Sequence, residues 1–184
     1  MVCTVSDAAE LDCIRRAQGG DARAFETLVD EYQGVLYHLA LRMTGNPEDA
    51  RDLTQNVFLK VWRNLGKYDA AYRFYSWVYR IALNEALNFV QRRKRHDELD
   101  ERTVSTDPTP SEETSLREAR RQIQDALMEL TPEYRQVIVL RHYQNLSYEE
   151  IATVVGIPEK TVKSRLFTAR QRLGVALQKR GVMR

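Results

Sequence analysis

The sequence predicts an all-α protein built from two small helical domains joined by a flexible acidic linker. Apolar residues recur at helical spacing along most of the chain, and no run of alternating apolar and polar residues indicates a strand. The segment around Asp107-Pro108-Thr109-Pro110-Ser111 lacks apolar periodicity and is typical of a linker. At 184 residues the chain has room for two such domains. We place them at 1–96 and 117–184, with the linker at 97–116.

The N-terminal domain is predicted to contain four helices. The first spans 7–18, and Asp21 caps a second helix that continues past Gly34, with a bend there, to Met43. Gly45-Asn46-Pro47 ends this helix and starts the third, 48–65. A loop over 67–73 leads to the fourth helix, 74–95. The apolar stripe of the third helix comprises Leu53, Val57, Phe58, Val61, Trp62 and Leu65.

The most informative stretch is residues 147–172, which predicts two short helices joined by a tight turn. Ser147 is a good N-cap, Gly156 can end the first helix in the left-handed region, and Pro158 is tolerated in the first turn of the second. The second helix has an apolar inner face and an outer face with five cations: Lys160, Lys163, Arg165, Arg170 and Arg172. This is the pattern of a helix-turn-helix whose basic helix enters a DNA major groove. The alternative is an ordinary helical hairpin with a solvated charged face. A preceding helix is predicted to start at Thr131-Pro132-Glu133.

Charge is strongly segregated although the chain as a whole carries only +2. Residues 67–96 hold 7 Lys/Arg against 2 Asp/Glu, net +5, and residues 117–184 hold 13 against 7, net +6. Between them, residues 97–116 hold 1 against 7, net −6. Two basic blocks separated by an acidic one suggest two nucleic-acid contacts on one chain.

Composition argues against several classes of site. Cys3 and Cys13 have no neighbouring Cys/His cluster, so no metal site and no cofactor are predicted, and reduced thiols in a cytoplasmic protein are the better interpretation. There is no apolar run of about 18 residues, so no membrane insertion is expected, and the polar N-terminus does not indicate a signal peptide.

Four segments, in this order, resemble those of bacterial RNA polymerase sigma factors of the extracytoplasmic-function group. They are residues 24–29 (AFETLV), 49–62 (DARDLTQNVFLKVW), 74–84 (FYSWVYRIALN) with the basic run after it, and 161–167 (TVKSRLF) within the helix-turn-helix. The resemblance implies a subunit that is not an enzyme itself. Such a subunit binds the beta-prime and beta subunits of core RNA polymerase, directs the polymerase to promoter DNA and helps to open the DNA duplex.

The resemblance also implies a polymerase-binding surface on the third helix. Asp52, Gln55 and Asn56 lie off its apolar stripe and would dock on a coiled coil of the beta-prime subunit. Asn56 departs from the acid that is usual in the family. Without the resemblance, these three residues would be interpreted as a solvated helix face.

The family's minus-10 site maps onto the fourth helix and the loop before it. The implied contacts with the opened strand are Lys67, Arg73, Tyr75 and Asn84, with Asn84 able to read a flipped base. The basic run would contact phosphates and comprises Arg92, Arg93, Lys94 and Arg95. Phe74 and Trp77 are expected to serve packing first, because aromatic residues at helical spacing usually belong to a core.

The family's minus-35 contacts map onto the second helix of the helix-turn-helix. They comprise Lys160, Lys163, Ser164, Arg165, Phe167, Thr168 and Arg170. Thr168 departs from relatives that have a cation there. We expect Lys163 or Arg165 to read a base, and the sequence does not decide between them.

Other function classes fit less well. A free-standing regulator would need a sensor or dimerisation domain, which the N-terminal half does not resemble. An enzyme would need a phosphate-binding loop, a nucleophile motif or a metal set, and a protein–protein adaptor would not explain two basic blocks. The resemblance further implies regulation by an external anti-sigma factor.

Overall fold

The computed structural model describes residues 7–99 and 115–182, and within these ranges it contains α-helices and no strand. A short 3-10 turn, Leu65–Lys67, follows the third helix. The helices are α1 (Asp7–Gln18), α2 (Ala22–Thr44), α3 (Pro47–Asn64), α4 (Phe74–Leu99), α5 (Ser115–Met128), α6 (Pro132–His142), α7 (Tyr148–Val155) and α8 (Glu159–Lys179). The all-α prediction is confirmed. Most of the predicted linker lies outside the described residues.

Local capping determines several of the helix ends. The Asp21 carboxylate accepts hydrogen bonds from the N–H groups of Arg23 and Ala24 at the start of α2. Gly45 ends α2 with φ +77°, and the Asn46 side chain then caps α3. The backbone remains helical through Gly34, and α4 continues to Leu99, past the predicted end at residue 95.

Both domains contribute fully buried side chains. In the N-terminal helices the fully buried side chains include Ile14, Leu36, Leu39 and Met43. Those of the C-terminal helices include Leu127, Ile138, Leu140, Ile151 and Leu166. Trp62, predicted to belong to the apolar stripe, is not buried with it, since the residue is 40% exposed. It lies at the edge of α3 against Phe25, with ring centroids 4.8 Å apart.

The two sets of helices also pack against each other. Helix α4 contacts α6 and α7, and α2 contacts α5 and α6. The buried apolar residues of both domains therefore form one continuous cluster. This contact places α7, the first helix of the helix-turn-helix, directly over the start of α4.

Candidate nucleic-acid interface

The helix-turn-helix has the geometry that the sequence predicts. The Ser147 hydroxyl accepts a hydrogen bond from the Glu150 N–H at 3.2 Å, and the Glu150 carboxylate accepts one from the Ser147 N–H at 2.7 Å. This reciprocal capping box fixes the start of α7. Gly156 ends α7 with φ +75°, a conformation that costs glycine little. Pro158 then precedes the first residue of α8.

The outer face of α8 is open to solvent. Its predicted contact residues that are exposed are Lys160, Lys163, Ser164, Phe167 and Arg170, and Phe167 is 65% exposed. Val162, Leu166 and Ala169 are buried beneath them and fix the orientation of the helix. A large aromatic ring exposed among cations is the arrangement expected of a surface that meets DNA bases or their methyl groups.

Lys163 and Arg165 have different surroundings. The Lys163 ammonium lies 2.7 Å from a Glu159 carboxylate oxygen and 5.8 Å from the centre of the Tyr148 ring. The hydrogen bond to Glu159 raises the pKa of Lys163 above its usual value. Arg165 is only half-exposed, at the flank of the inner face, and forms no ion pair with any residue in 7–99 or 115–182. Lys163 therefore occupies the more open position.

Arg170 is tied to the helix before the helix-turn-helix. Its Nε donates to Nε2 of His142 at a distance of 3.4 Å. Burial lowers the pKa of His142, and the nearby Arg170 and Arg141 guanidinium groups lower it further. A neutral imidazole can accept this hydrogen bond, whereas a protonated one could not. Thr168, the remaining predicted contact, is half-exposed.

On the N-terminal domain, most of the predicted minus-10 residues are exposed. Lys67 and Arg73 lie at the two ends of the loop before α4, and Asn84 lies on α4 itself. The basic run is exposed as well, and Arg93 makes an ion pair with Asp49 at 2.7 Å. The loop before α4 and the later turns of α4 therefore carry exposed positive charge.

The aromatic residues at the start of α4 pack as expected. Phe74 is buried, and its ring centroid lies 5.2 Å from that of Tyr68 and 5.8 Å from that of Trp77. Trp77 is half-buried. This cluster supports the loop over 67–73.

Tyr75 is the one predicted minus-10 residue that the structure places under the other domain. It is 9% exposed, and its hydroxyl donates to Glu150 of α7. Burial, with a smaller effect of Glu150, raises the pKa of Tyr75 to about 12. Beside it, a cavity of about 320 Å³ lies between the two domains, lined by Lys67, Asp69, Tyr72, Ser76, Trp77, Arg80 and Thr153.

The predicted polymerase-binding residues are all exposed on α3. Asp52, Gln55 and Asn56 share the solvent side of the helix. Gln55 also lines an apolar groove of about 580 Å³ between α2 and α3, together with Phe25, Phe58, Leu59 and Trp62. Sequence reasoning missed this groove, because it assigned Phe58 and Trp62 to the buried stripe. The signal in the sequence was Leu59, an apolar residue outside the predicted stripe, which the structure leaves 53% exposed.

Two kinds of site are absent from the residues that the structure describes. No group of three His, Cys, Asp or Glu side chains is placed to hold a metal ion. No described helix is long and apolar enough to span a membrane. Cys13 has a free thiol and is half-buried beside the core of the N-terminal helices.

Comparison with protein families gives a consistent result for both domains. The family model for Sigma-70 region 2 matches residues 28–96, and the model for Sigma-70, region 4 matches residues 120–173. The RNA polymerase sigma-H factor of Pseudomonas aeruginosa is 35% identical over 177 residues, which cover 90% of this chain and 92% of the relative. The ECF RNA polymerase sigma factor SigW of Bacillus subtilis is 31% identical over 172 residues, covering 87% and 92%.

Two solved structures that share the fold of this chain are complexes with another protein. CnrH bound to the cytosolic domain of CnrY superposes with a TM-score of 0.70 and 29% identity, covering 93% of this chain and 98% of that one. The sigma factor RpoE of Bartonella quintana, solved with the anti-sigma factor NepR, has a TM-score of 0.70 and 25% identity. That match covers 84% of this chain and 96% of the solved one.

Proposed function

Because the chain belongs to the extracytoplasmic-function group of RNA polymerase sigma factors, we propose that it initiates transcription as the promoter-reading subunit of RNA polymerase. It binds core polymerase, recognises minus-10 and minus-35 promoter elements and promotes opening of the DNA. One observation carries this function: sigma regions 2 and 4 occur in order on one chain, and the second presents an exposed basic helix. The protein acts in the cytoplasm, and the chemistry of RNA synthesis belongs to the polymerase.

The two domains divide the work. Residues 1–96 bind polymerase and the minus-10 element, residues 117–184 bind the minus-35 element, and residues 97–116 connect them. The exposed cations in and before α4 and those on the outer face of α8 belong to different domains, so one chain can hold two stretches of DNA. Most of the contacts proposed along α4 and α8 are exposed, which supports this division.

The polymerase contact is centred on α3. Asp52, Gln55 and Asn56 supply hydrogen-bonding groups, and the apolar groove beside them supplies area that a partner can bury. An apolar patch with a polar rim is the usual anatomy of a specific protein interface. We assign both parts to the beta-prime coiled coil.

An anti-sigma factor is the second class of protein partner. CnrH was solved with CnrY and RpoE with the anti-sigma factor NepR, and both superpose on most of this chain. The same fold here would accept a regulator of this kind. The groove between α2 and α3 is an apolar surface open to such a partner.

Reconstituted holoenzyme tests the proposed function directly. Core RNA polymerase with and without this protein would transcribe fragmented genomic DNA of the host bacterium, and the 5′ ends of the transcripts would be sequenced. We expect new start sites that share two elements upstream, with permanganate-reactive thymines near the downstream one. No start site that depends on the protein would contradict the proposal. A free-standing regulator would instead bind duplex DNA tightly without polymerase.

Removing the polar groups of the polymerase-binding surface should weaken holoenzyme assembly. We expect Asp52→Ala with Gln55→Ala to lower affinity for core polymerase about tenfold, because two exposed hydrogen-bonding partners are lost. Competition binding against labelled wild-type protein measures this. The control pair Gln178→Ala with Lys179→Ala removes two exposed side chains near the end of α8. Equal affinities for the two pairs, with normal helicity, would reject the assignment of α3.

Asn84 should matter at one position of the minus-10 element. In Asn84→Ala, a flipped base would lose a hydrogen-bonding partner, which costs about 1–3 kcal/mol and slows formation of the open complex. Permanganate footprinting over time measures the opening, on promoters that differ at single minus-10 bases. Asn88→Ala, one turn further along α4 and also exposed, is the matched control. If Asn84→Ala keeps the wild-type base preference and opening rate, Asn84 is not in the site.

A further inference from the structure

Three side-chain contacts join α4 to the helix-turn-helix domain. The Tyr75 hydroxyl donates to Glu150, and the Arg80 guanidinium donates to the backbone carbonyl of Thr153. The Tyr79 hydroxyl donates to the side-chain carbonyl of Gln144 at 3.0 Å, and both residues are buried. We call these three contacts the inter-domain latch. Each links residues at least 65 positions apart in the sequence.

Glu150 belongs to the latch and to the capping box at once. One of its carboxylate oxygens accepts the Ser147 N–H at the start of α7, and the other accepts the Tyr75 hydroxyl. Burial alone would raise the pKa of Glu150, but the hydrogen bonds from Tyr75 and Ser147 lower it below its usual value. The carboxylate is therefore ionised at neutral pH and suited to hold Tyr75 through a charge-assisted hydrogen bond.

A second group of contacts joins the end of α2 to the C-terminal domain. Gln124 of α5 donates to the Leu41 carbonyl at 3.2 Å and accepts from Arg42 at 2.7 Å. The Arg42 guanidinium also lies over the ring of Tyr143, 4.6 Å from its centre. Gly45 packs so closely that a Cβ there would lie 3.0 Å from Sδ of Met128. Two separate groups of contacts, one on α4 and one at the end of α2, favour one defined closed arrangement over loose association.

The closed arrangement covers the two DNA surfaces unequally. Tyr75 is buried, and Thr153 of α7 forms one wall of the cavity beside the loop before α4. In contrast, Lys160, Lys163, Ser164 and Phe167 on α8 remain exposed. Closure therefore covers part of the minus-10 surface and leaves the minus-35 helix accessible.

We propose that the free chain closes through the inter-domain latch, so that α7 and an opened DNA strand compete for Tyr75 and the surface around it. The minus-35 helix stays available in the closed form, and capture of the opened strand requires the domains to separate. Closure itself rests on contacts within the chain, whereas the competition with DNA rests on the proposed function. The two parts can therefore be tested separately.

The test compares a latch variant with a variant that removes similar bonds inside one domain. The latch variant is Tyr79→Phe with Arg80→Ala, which removes two of the three latch donors of α4. When the domains of this variant close, the side-chain carbonyl of Gln144 is buried without its hydrogen-bond donor, whereas in the open chain water can replace that donor. The control is Tyr32→Phe with Lys60→Ala, which removes a tyrosine–carboxylate bond and an ion pair within the N-terminal helices. Both carry Trp62→Phe, so that Trp77 beside the latch is the only tryptophan. Far-UV circular dichroism checks that each variant keeps its helicity.

Small-angle scattering and acrylamide quenching of Trp77 then report closure without DNA. The parent and the control should have a radius of gyration near that of a compact chain of this length, about 16 Å. The latch variant should be larger and its Trp77 more readily quenched, since an unpaired buried group shifts the equilibrium toward opening by about tenfold. Gln144→Ala, on a loop, provides an independent second variant. A parent as expanded as the latch variant, or latch variants indistinguishable from the control, would overturn closure.

Fluorescence anisotropy tests the competition with a labelled, random-sequence single strand and with the corresponding duplex. We expect the latch variant to bind the single strand up to about tenfold more tightly than the control, with similar affinities for the duplex. If the latch variant opens but binds the single strand no better, the closed domain does not mask the minus-10 surface. That result would contradict only the masking of the minus-10 surface, and would leave closure and promoter recognition unaffected.

Discussion

Replacing Arg135 with methionine should lower the free energy of unfolding by about 3 kcal/mol. Arg135 is 3% exposed, and its guanidinium donates to the carbonyl groups of Leu127, Met128 and Leu130 at 2.9 Å each. It also donates to the Met43 carbonyl at the end of α2. Methionine fills a similar volume but leaves these carbonyls without a donor. Urea denaturation followed by circular dichroism measures the change.

Arg120→Met is the matched control for this prediction. Arg120 is an exposed arginine on α5, and surface substitutions of this kind usually change stability by less than about 0.5 kcal/mol. Arg135→Lys is expected to lie between the two, because an ammonium keeps the charge but cannot reach four carbonyls as the planar guanidinium does. If Arg135→Met and Arg120→Met unfold at the same urea concentration, the four hydrogen bonds contribute nothing to stability.

Counting charges along the sequence cannot detect that Arg135 is buried. It contributes to the net +6 of residues 117–184, yet burial lowers its pKa to about 10, and it binds the protein's own backbone. A signal was present in the sequence. Arg135 precedes Ile138 and Val139 by three and four positions, so it shares a helix face with two fully buried residues. A cation on an apolar face needs buried acceptors, and two nearby helix ends supply them.

Helix ends were predictable where a single side chain or glycine determines them. Asp21, Asn46 and Ser147 cap their helices, and Gly156 adopts the left-handed conformation. These features depend on residues within three or four positions along the chain, so the sequence alone predicts them. The end of α4 was harder to predict, because no glycine or proline follows Arg95 before Pro108.

The arrangement of the two domains could not be predicted in the same way. Tyr79 and Gln144 are 65 positions apart, and nothing in either local pattern indicates the other. Tyr75 illustrates the consequence: its place in the loop–helix segment suggests a DNA contact, but the packing of α7 buries it. Its role at the minus-10 element stays a prediction that requires an open chain.

Lys163→Ala should cost about 1–3 kcal/mol in promoter binding and relax the preference at one minus-35 position. Lys163 lies on the exposed outer face of α8, and Glu159 and Tyr148 hold its ammonium in place before DNA arrives. Arg165 is half-exposed at the flank of α8. With α8 in the major groove, that flank faces the sugar–phosphate backbone, so Arg165 would contact a phosphate rather than a base edge. Arg165→Ala should therefore weaken binding to all sequences alike and lower the salt slope by about one.

Holoenzyme binding to a panel of single-base minus-35 variants, at several salt concentrations, separates these two expectations. Lys179→Ala, an exposed cation in the last turn of the same helix, controls for the loss of positive charge alone. It should leave the base preference unchanged, because the last turn of α8 lies about 24 Å from Lys163 along the helix axis. If the base preference relaxes in Arg165→Ala but not in Lys163→Ala, then Arg165 reads the base and Lys163 contacts a phosphate. Wild-type behaviour of both on every promoter would mean that this face of α8 does not read the minus-35 element, whatever its exposure and charge.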